Sequence, residues 1–212
     1  TWLEKQNDTL ISMCDDIFMH PEVGRQEYYA QSLLTHYLKE HGFAVELGVG
    51  GLPTSFRGVW EQGVGGPAIG LLCEYDALRE FGHGCGHHMQ GPAIVSAAAA
   101  VRDLWGETPL KLIVYGTPDE EYGDGKVTML KHGCFQDLDF ALMTHAGPNT
   151  TVDIKSLAMR SAYVRYHGRA AHAAIKPEDG RSAVDGLMLA IHGFELLREH
   201  VRSHVRLHYA IR

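Results

Sequence analysis

Cys85 and His87 stand two residues apart, with a glycine between them, in the segment His83-Gly84-Cys85-Gly86-His87-His88. A thiolate and an imidazole are good ligands for zinc, and imidazole also suits manganese. In an extended or looped segment this spacing can direct both side chains to one side, and glycine lets the backbone bend to do it. Taken alone, the pair reads more readily as a polar loop with a buried free cysteine. Three other segments shift the reading toward a metal: Glu74-Tyr75-Asp76, Asp119-Glu120-Glu121 and Thr144-His145.

Each segment follows an apolar run that reads as a strand, and ligands in open α/β sheets gather outside the carboxyl ends of strands. Adjacent Glu120 and Glu121 can divide the work: one carboxylate holds a metal while its neighbour takes a proton from a metal-activated water. Elsewhere such a pair is ordinary solvated surface. Asp76 is placed to accept from a ligand imidazole and fix its tautomer; the alternative is a turn or N-cap aspartate. His145 is either a ligand or a satisfied buried histidine. His172 stands apart in Gly168-Arg169-Ala170-Ala171-His172-Ala173. It is a candidate donor to a developing oxyanion, or part of a strand-end turn.

The elements that must position these groups follow from periodicity. Helices are expected over 3–18, where His20-Pro21 stops the pattern, and over 27–40, ending at His41-Gly42. Short strands are expected over 43–47 and 56–60. The continuous apolar runs AIGLLC (68–73) and LKLIVY (110–115) read as strands of a sheet covered on both faces. GHGCGHH reads as part of a loop, followed by an Ala-rich helix from Pro92 to Leu104. A short helix over 127–131 and a strand over 140–143 complete the alternation, which argues for an α/β sandwich. Gly48–Gly51 lacks the spacing of a phosphate loop and is read as a turn. Composition changes near Gly147-Pro148-Asn149. Beyond it the pattern gives a strand over 158–167, a helix over 182–200 and a strand over 205–211, the first half of a small α+β domain. The division expected is therefore 1–154 and 155–212.

Composition excludes some classes. Twenty-six acids against nineteen Lys and Arg give a net charge of -7, which disfavours nucleic acid as a partner. No stretch reaches the roughly 18 to 20 apolar residues of a membrane span. The four cysteines are too widely spaced for a small secreted disulfide framework, so a cytoplasmic, reducing compartment is expected.

Together the segments HPEVGRQE (20–27), EYDAL (74–78), GHGCGHH (82–88), YGTPDEEYGDGK (115–126), MTHAGP (143–148) and YHGRAAHAA (166–174) resemble the M20 metallopeptidase family. The likeness is to its amidohydrolase branch, nearest to the dipeptidase-like peptidase M20 domain-containing protein 2 group. It covers nearly the whole chain, and the order of motifs is more specific than any one of them. The resemblance implies a mixed-sheet α/β/α zinc-peptidase-like catalytic domain with the start of an inserted α+β lid domain used for dimerisation. It implies two divalent ions, zinc or manganese. Cys85 would bridge them, with His87, Glu121 and His145 as terminal ligands. Glu120 would be the general base acting on the bridging water, Asp76 the supporting aspartate, and His172 the lid histidine that reaches toward substrate. The implied reaction is hydrolysis of the amide bond of a dipeptide or N-acyl amino acid; an aminobenzoyl-glutamate-type amidohydrolase and a non-catalytic metal-binding scaffold are the alternatives. The implied partners are that small substrate and a second copy of the chain. The family's last metal-ligand histidine is expected beyond residue 212. The chain departs from the pattern at His88, where Asp or Asn is usual, at Arg79 for Pro, at Asp119 for Ala in PAEE, and at Ala174 for Ser.

Overall fold

The computed structural model describes residues 1–152 and 156–212. They divide into two compact units, Thr1–Thr150 and Thr151–Arg212; the division expected at 154/155 lies outside the described residues.

The first unit contains α1 (Trp2–Met19), α2 (Tyr28–Glu40), β1 (Ala44–Leu47), β2 (Phe56–Gln62), β3 (Ala68–Cys73), α3 (His87–Leu104), β4 (Leu110–Gly116), α4 (Gly125–Lys131) and β5 (Phe140–Leu142). The strands form a five-stranded mixed sheet in the order β1-β2-β4-β3-β5. β1 and β2 run antiparallel to their neighbours, while β4, β3 and β5 are mutually parallel. This is the α/β class expected, with helices flanking a mixed sheet.

β4 shows why its sequence is apolar throughout. Successive side chains point to opposite faces. Leu112 and Val114 enter the core formed with Ile17, Leu34, Leu38, Val95, Ala98 and Ala99 of the first three helices. Ile113 and Tyr115 enter a second core with Val49, Leu52 and Met129. Each fully buried aliphatic side chain there contributes about 1.5–3 kcal/mol, so the centre of the sheet is the most firmly held part of the unit.

α1 is started by a capping box in which Thr1 Oγ1 accepts from Glu4 N at 3.3 Å. α2 is held at its start by Glu22, whose carboxylate accepts from Tyr29 N and Ala30 N at 2.9 and 3.0 Å. α3 begins at His87, five residues before the expected Pro92. Pro favours a first-turn position, which is why it reads as a start. Here it lies inside the helix, in the second turn, and forgoes a bond to the His88 carbonyl. His87 and His88 are therefore helical residues, and the looped segment ends at Gly86.

In the second unit, α5 spans Ala183–Leu197, with Ser182 Oγ accepting from Asp185 N at 3.1 Å. The strands expected over 158–167 and 205–211 are not formed. The described residues of this unit have only an isolated bridge between Arg169 and Arg181. Alternating residue types satisfy a strand's pattern, but a strand also needs a neighbour to take its N–H and C=O groups.

Candidate metal centre

Parallel pairing brings the chemistry to one end of the sheet. Cys73 lies opposite Gly116, and Leu71 opposite Leu142. The residues that follow the three strands, Glu74–Asp76, Thr117–Glu121 and Met143–His145, therefore leave from the same edge. The loop from β3 returns through Gly86, at φ 84°, directly into the first turn of α3, which delivers His87 to the same place.

His87 is at the centre. It is 1% exposed. Its Nδ1 bonds the Asp76 carbonyl at 2.9 Å and Asp76 Oδ1 at 3.1 Å, so that nitrogen carries the proton. His145 Nδ1 likewise donates to the Ala146 carbonyl at 2.9 Å. Each ring thus presents a lone pair on Nε2, and the two Nε2 atoms face one another at 3.3 Å. Glu74 Oε2 lies 3.4 Å from His87 Nε2 and 3.9 Å from His145 Nε2, buried and without a hydrogen-bond partner among the described residues. Converging lone pairs repel, and either a proton on His87 or a bound cation relieves this. The residues fit a metal on that observation.

A second set of donors shares His87. His87, Glu120 and Glu121 offer ligand atoms within 4.8 Å of one another, as do Glu74, His87 and His145. His87 has one free lone pair and can serve one ion, while the carboxylates and His145 around it supply the other donors; together the two clusters are consistent with a dinuclear site. Glu121 N donates to Asp76 Oδ2 at 2.9 Å, so one aspartate orients both the shared imidazole and the Glu-Glu backbone. Cys85 is in neither cluster. It stands beside Glu121, and that carboxylate, accepting from the thiol, together with burial pushes the Cys85 pKa up to about 12. Without a cation the group is a thiol; a metal would invert that preference.

Charge in the site is tuned by its neighbours. Burial works against a charged His87, but the hydrogen bond to Asp76 and the field of Glu74 outweigh it and hold its pKa above the ordinary value. Burial also opposes ionisation of Asp76, and here the His87 bond and the Glu121 N–H prevail and lower it. Glu120 is raised by loss of water around its carboxylate and by Glu74. This is the direction a general base needs.

The sequence reading missed Glu74. It appears there as one strand-end acid among several, and its role shows only once His87, His145 and Lys126 surround it. Lys126 Nζ donates to Glu74 Oε1. An EYD triplet after a buried strand is the one signal that pointed to it. His83 is buried, with both ring nitrogens unpartnered among the described residues, and burial with His88 nearby lowers its pKa to about 4. His88 packs its ring 4.9 Å from that of Phe18 and joins neither donor cluster. His172 belongs to the second unit. Its Nδ1 accepts from Ala174 N and Ile175 N at 3.1 and 3.2 Å, which leaves the proton on Nε2.

A cavity of about 240 Å³ adjoins His145, lined also by Met89, Gln90 and Ala93. A larger groove of about 470 Å³ runs along α1 past Asp8, Asp15 and Met19 and holds none of the donors.

No protein-family model matches the chain. It is 33% identical over 99% of its length to a mouse Xaa-Arg dipeptidase, of which it covers 52%. It is 37% identical over 99% of its length to one of the subunits of the p-aminobenzoyl-glutamate hydrolase of Escherichia coli (strain K12), and covers 47% of that chain. In fold it is similar to a dinuclear metal-binding M20-family peptidase of Bacillus subtilis, with TM-score 0.63 and 21% identity, over 69% of this chain and 44% of that one. In sequence the chain is similar to these dipeptidase and hydrolase chains, and its mixed α/β sheet with flanking helices matches the fold of the M20-family peptidase. An aminobenzoyl-glutamate utilization protein of Klebsiella pneumoniae shares the fold more widely, with TM-score 0.65 and 20% identity over 92% of this chain and 59% of that one. The chain spans about half the length of the curated relatives it matches.

Proposed function

We propose that this chain supplies most of the active centre of a metal-dependent hydrolase that cleaves the amide bond of a dipeptide or an N-acyl amino acid. The observation that carries the reading is the convergence of Glu74, His87 and His145 lone pairs next to the Glu120–Glu121 pair. Two divalent ions, zinc or manganese, would be held by His87, Glu121 and His145, with Cys85 turning in beside Glu121 and Glu74 as a further donor. When bound, such ions make a water acidic and polarise a carbonyl. The chain's own residues do the rest. Glu120 takes the water proton on its carboxylate and passes it to the departing nitrogen. Asp76 holds the His87 Nδ1 proton and the Glu121 amide in place. His172 offers its Nε2 proton to the oxyanion.

The dipeptidase-like reading is supported by identity to the Xaa-Arg dipeptidase, and an aminobenzoyl-glutamate-type substrate by identity to the p-aminobenzoyl-glutamate hydrolase chain. Residues 1–154 would belong to the catalytic part and 155–212 to a lid that pairs two copies. Four free cysteines support a reducing, cytoplasmic setting, and no helix among the described residues is long and apolar enough to cross a membrane.

The test is a panel of dipeptides and N-acyl amino acids given to the full-length protein, loaded separately with zinc and manganese. Glu120→Gln should keep the metal and lower turnover by about 100-fold or more, as loss of a general base does. Normal turnover in that variant would defeat the assignment, and metal binding without turnover of any substrate would favour a scaffold.

A further inference from the structure

The loop that carries Glu120 and Glu121 is tied at both ends by one guanidinium. Arg25 Nε donates to Asp119 Oδ2 at 2.7 Å, and Arg25 Nη2 donates to Asp124 Oδ1 at 3.1 Å. These two aspartates flank Glu120–Gly123, and Asp124 also begins α4.

The backbone shows how firmly this contact is built. Arg25 and Asp119 both adopt positive φ, at 66° and 61°. Positive φ is uncommon for side-chain-bearing residues, least so for Asp and Asn, and an arginine keeps it where its surroundings fix it. The Asp119 side chain is 8% exposed. A Cβ on Gly24 would come within 2.2 Å of one of its oxygens, and a Cβ on Gly123 within 1.9 Å of the other. Two glycines thus make room for this one carboxylate. Beneath it, Asp119 N donates at 2.9 Å to Glu27 Oε1, while Thr54 Oγ1 donates at 2.6 Å to Glu27 Oε2; Glu27 is fully buried. Glu121 N is held by Asp76 at 2.9 Å. Glu120 therefore sits between two anchored residues, and the outer anchor depends on Arg25.

We propose that Arg25, acting through Asp119 and Asp124, is a positioning residue that sets where the Glu120 and Glu121 carboxylates point. This rests on the reading that those carboxylates hold a metal and move a proton. Arginine is required because its planar fork reaches two carboxylates at once, whereas an ammonium is a single point charge. Half of the Arg25 side chain is exposed, so its ion pairs add little to global stability. Its removal should therefore loosen the loop without unfolding the unit.

The test uses the full-length protein with Arg25→Ala, Arg25→Lys, Asp119→Asn and the Arg25→Ala/Asp119→Asn double variant. Asparagine keeps the shape and tolerates positive φ while removing the charge. Three quantities are read: zinc affinity by competition with a chromophoric chelator, amide exchange at Asp119 and Glu121, and kcat against KM. Each single variant should weaken zinc by about 10-fold, as loss of an outer partner does, speed exchange at both amides, and lower kcat with KM held. The double variant should be no worse than the poorer single, because both remove one contact. Unchanged affinity and exchange in Arg25→Ala, multiplied losses in the double variant, full rescue by Arg25→Lys, or a fall in kcat alone would each overturn the proposal. A wild-type protein that binds zinc and hydrolyses nothing defeats the hydrolase reading instead, and leaves affinity and exchange to decide the role of Arg25.

Discussion

The two donor clusters share His87 but are held in opposite ways. Glu74 and His145 follow β3 and β5, and His87 opens α3, so their cluster rests on the sheet and on bonds to backbone and buried carboxylate. Glu120 and Glu121 lie in a loop whose outer support is a half-exposed arginine and whose first residue is in a strained conformation. The first cluster is rigid by its placement on the sheet. The second depends on that clasp for its position, and it contains Glu120, the proposed proton carrier.

This contrast orders the expected effects. His87→Ala removes the donor common to both clusters, and zinc affinity should fall by more than about 100-fold, beyond what outer partners cost; chelator competition reads it. Asp76→Asn keeps an acceptor for the His87 ring but loses the charge, and should cost about 10- to 100-fold in the same assay. If it costs less than Arg25→Ala, the rigid cluster is not the better anchored one.

The metal-free protein gives a pH test of the rigid side. The folded His87 binds its proton more tightly than the unfolded chain does. Its stabilising contribution is therefore complete below the ordinary imidazole pKa and is lost as pH rises through the higher folded value. The melting temperature of wild type should drop as pH rises past the ordinary imidazole value of about 6.5, and His87→Gln should flatten that drop. The smallest effect concerns the side held by Arg25. Salt screens a half-exposed ion pair, so raising ionic strength should weaken zinc binding by about two-fold in wild type and not in Arg25→Ala.

The sheet was largely legible in the sequence because β3 and β4 are buried on both faces, and unbroken apolar runs such as AIGLLC leave few other readings. The convergence of donors was legible where residue type carried it, as at His87 and at Glu120–Glu121, which share one cluster. Glu74 was not, because an acid after a strand is common and only the fold sets it against residues 13, 52 and 71 positions away. The clasp of Arg25 on Asp119 joins residues 94 apart, and no periodicity relates them. The start of α3 was misplaced because Pro92 imitates a first-turn residue. The strands expected in the second unit failed for a different reason: alternation describes a strand's two faces, not its neighbour. None of the residues of α5 is buried, so its apolar pattern is equally silent about what it packs on.

The most direct test of the central claim is anomalous diffraction from crystals of the full-length protein loaded with zinc. The account predicts ions about 2.0–2.2 Å from His87 Nε2, His145 Nε2 and a Glu121 oxygen, with the Glu120 carboxylate beside them. Zinc bound only elsewhere, with the two Nε2 atoms still facing each other unbridged, would contradict it.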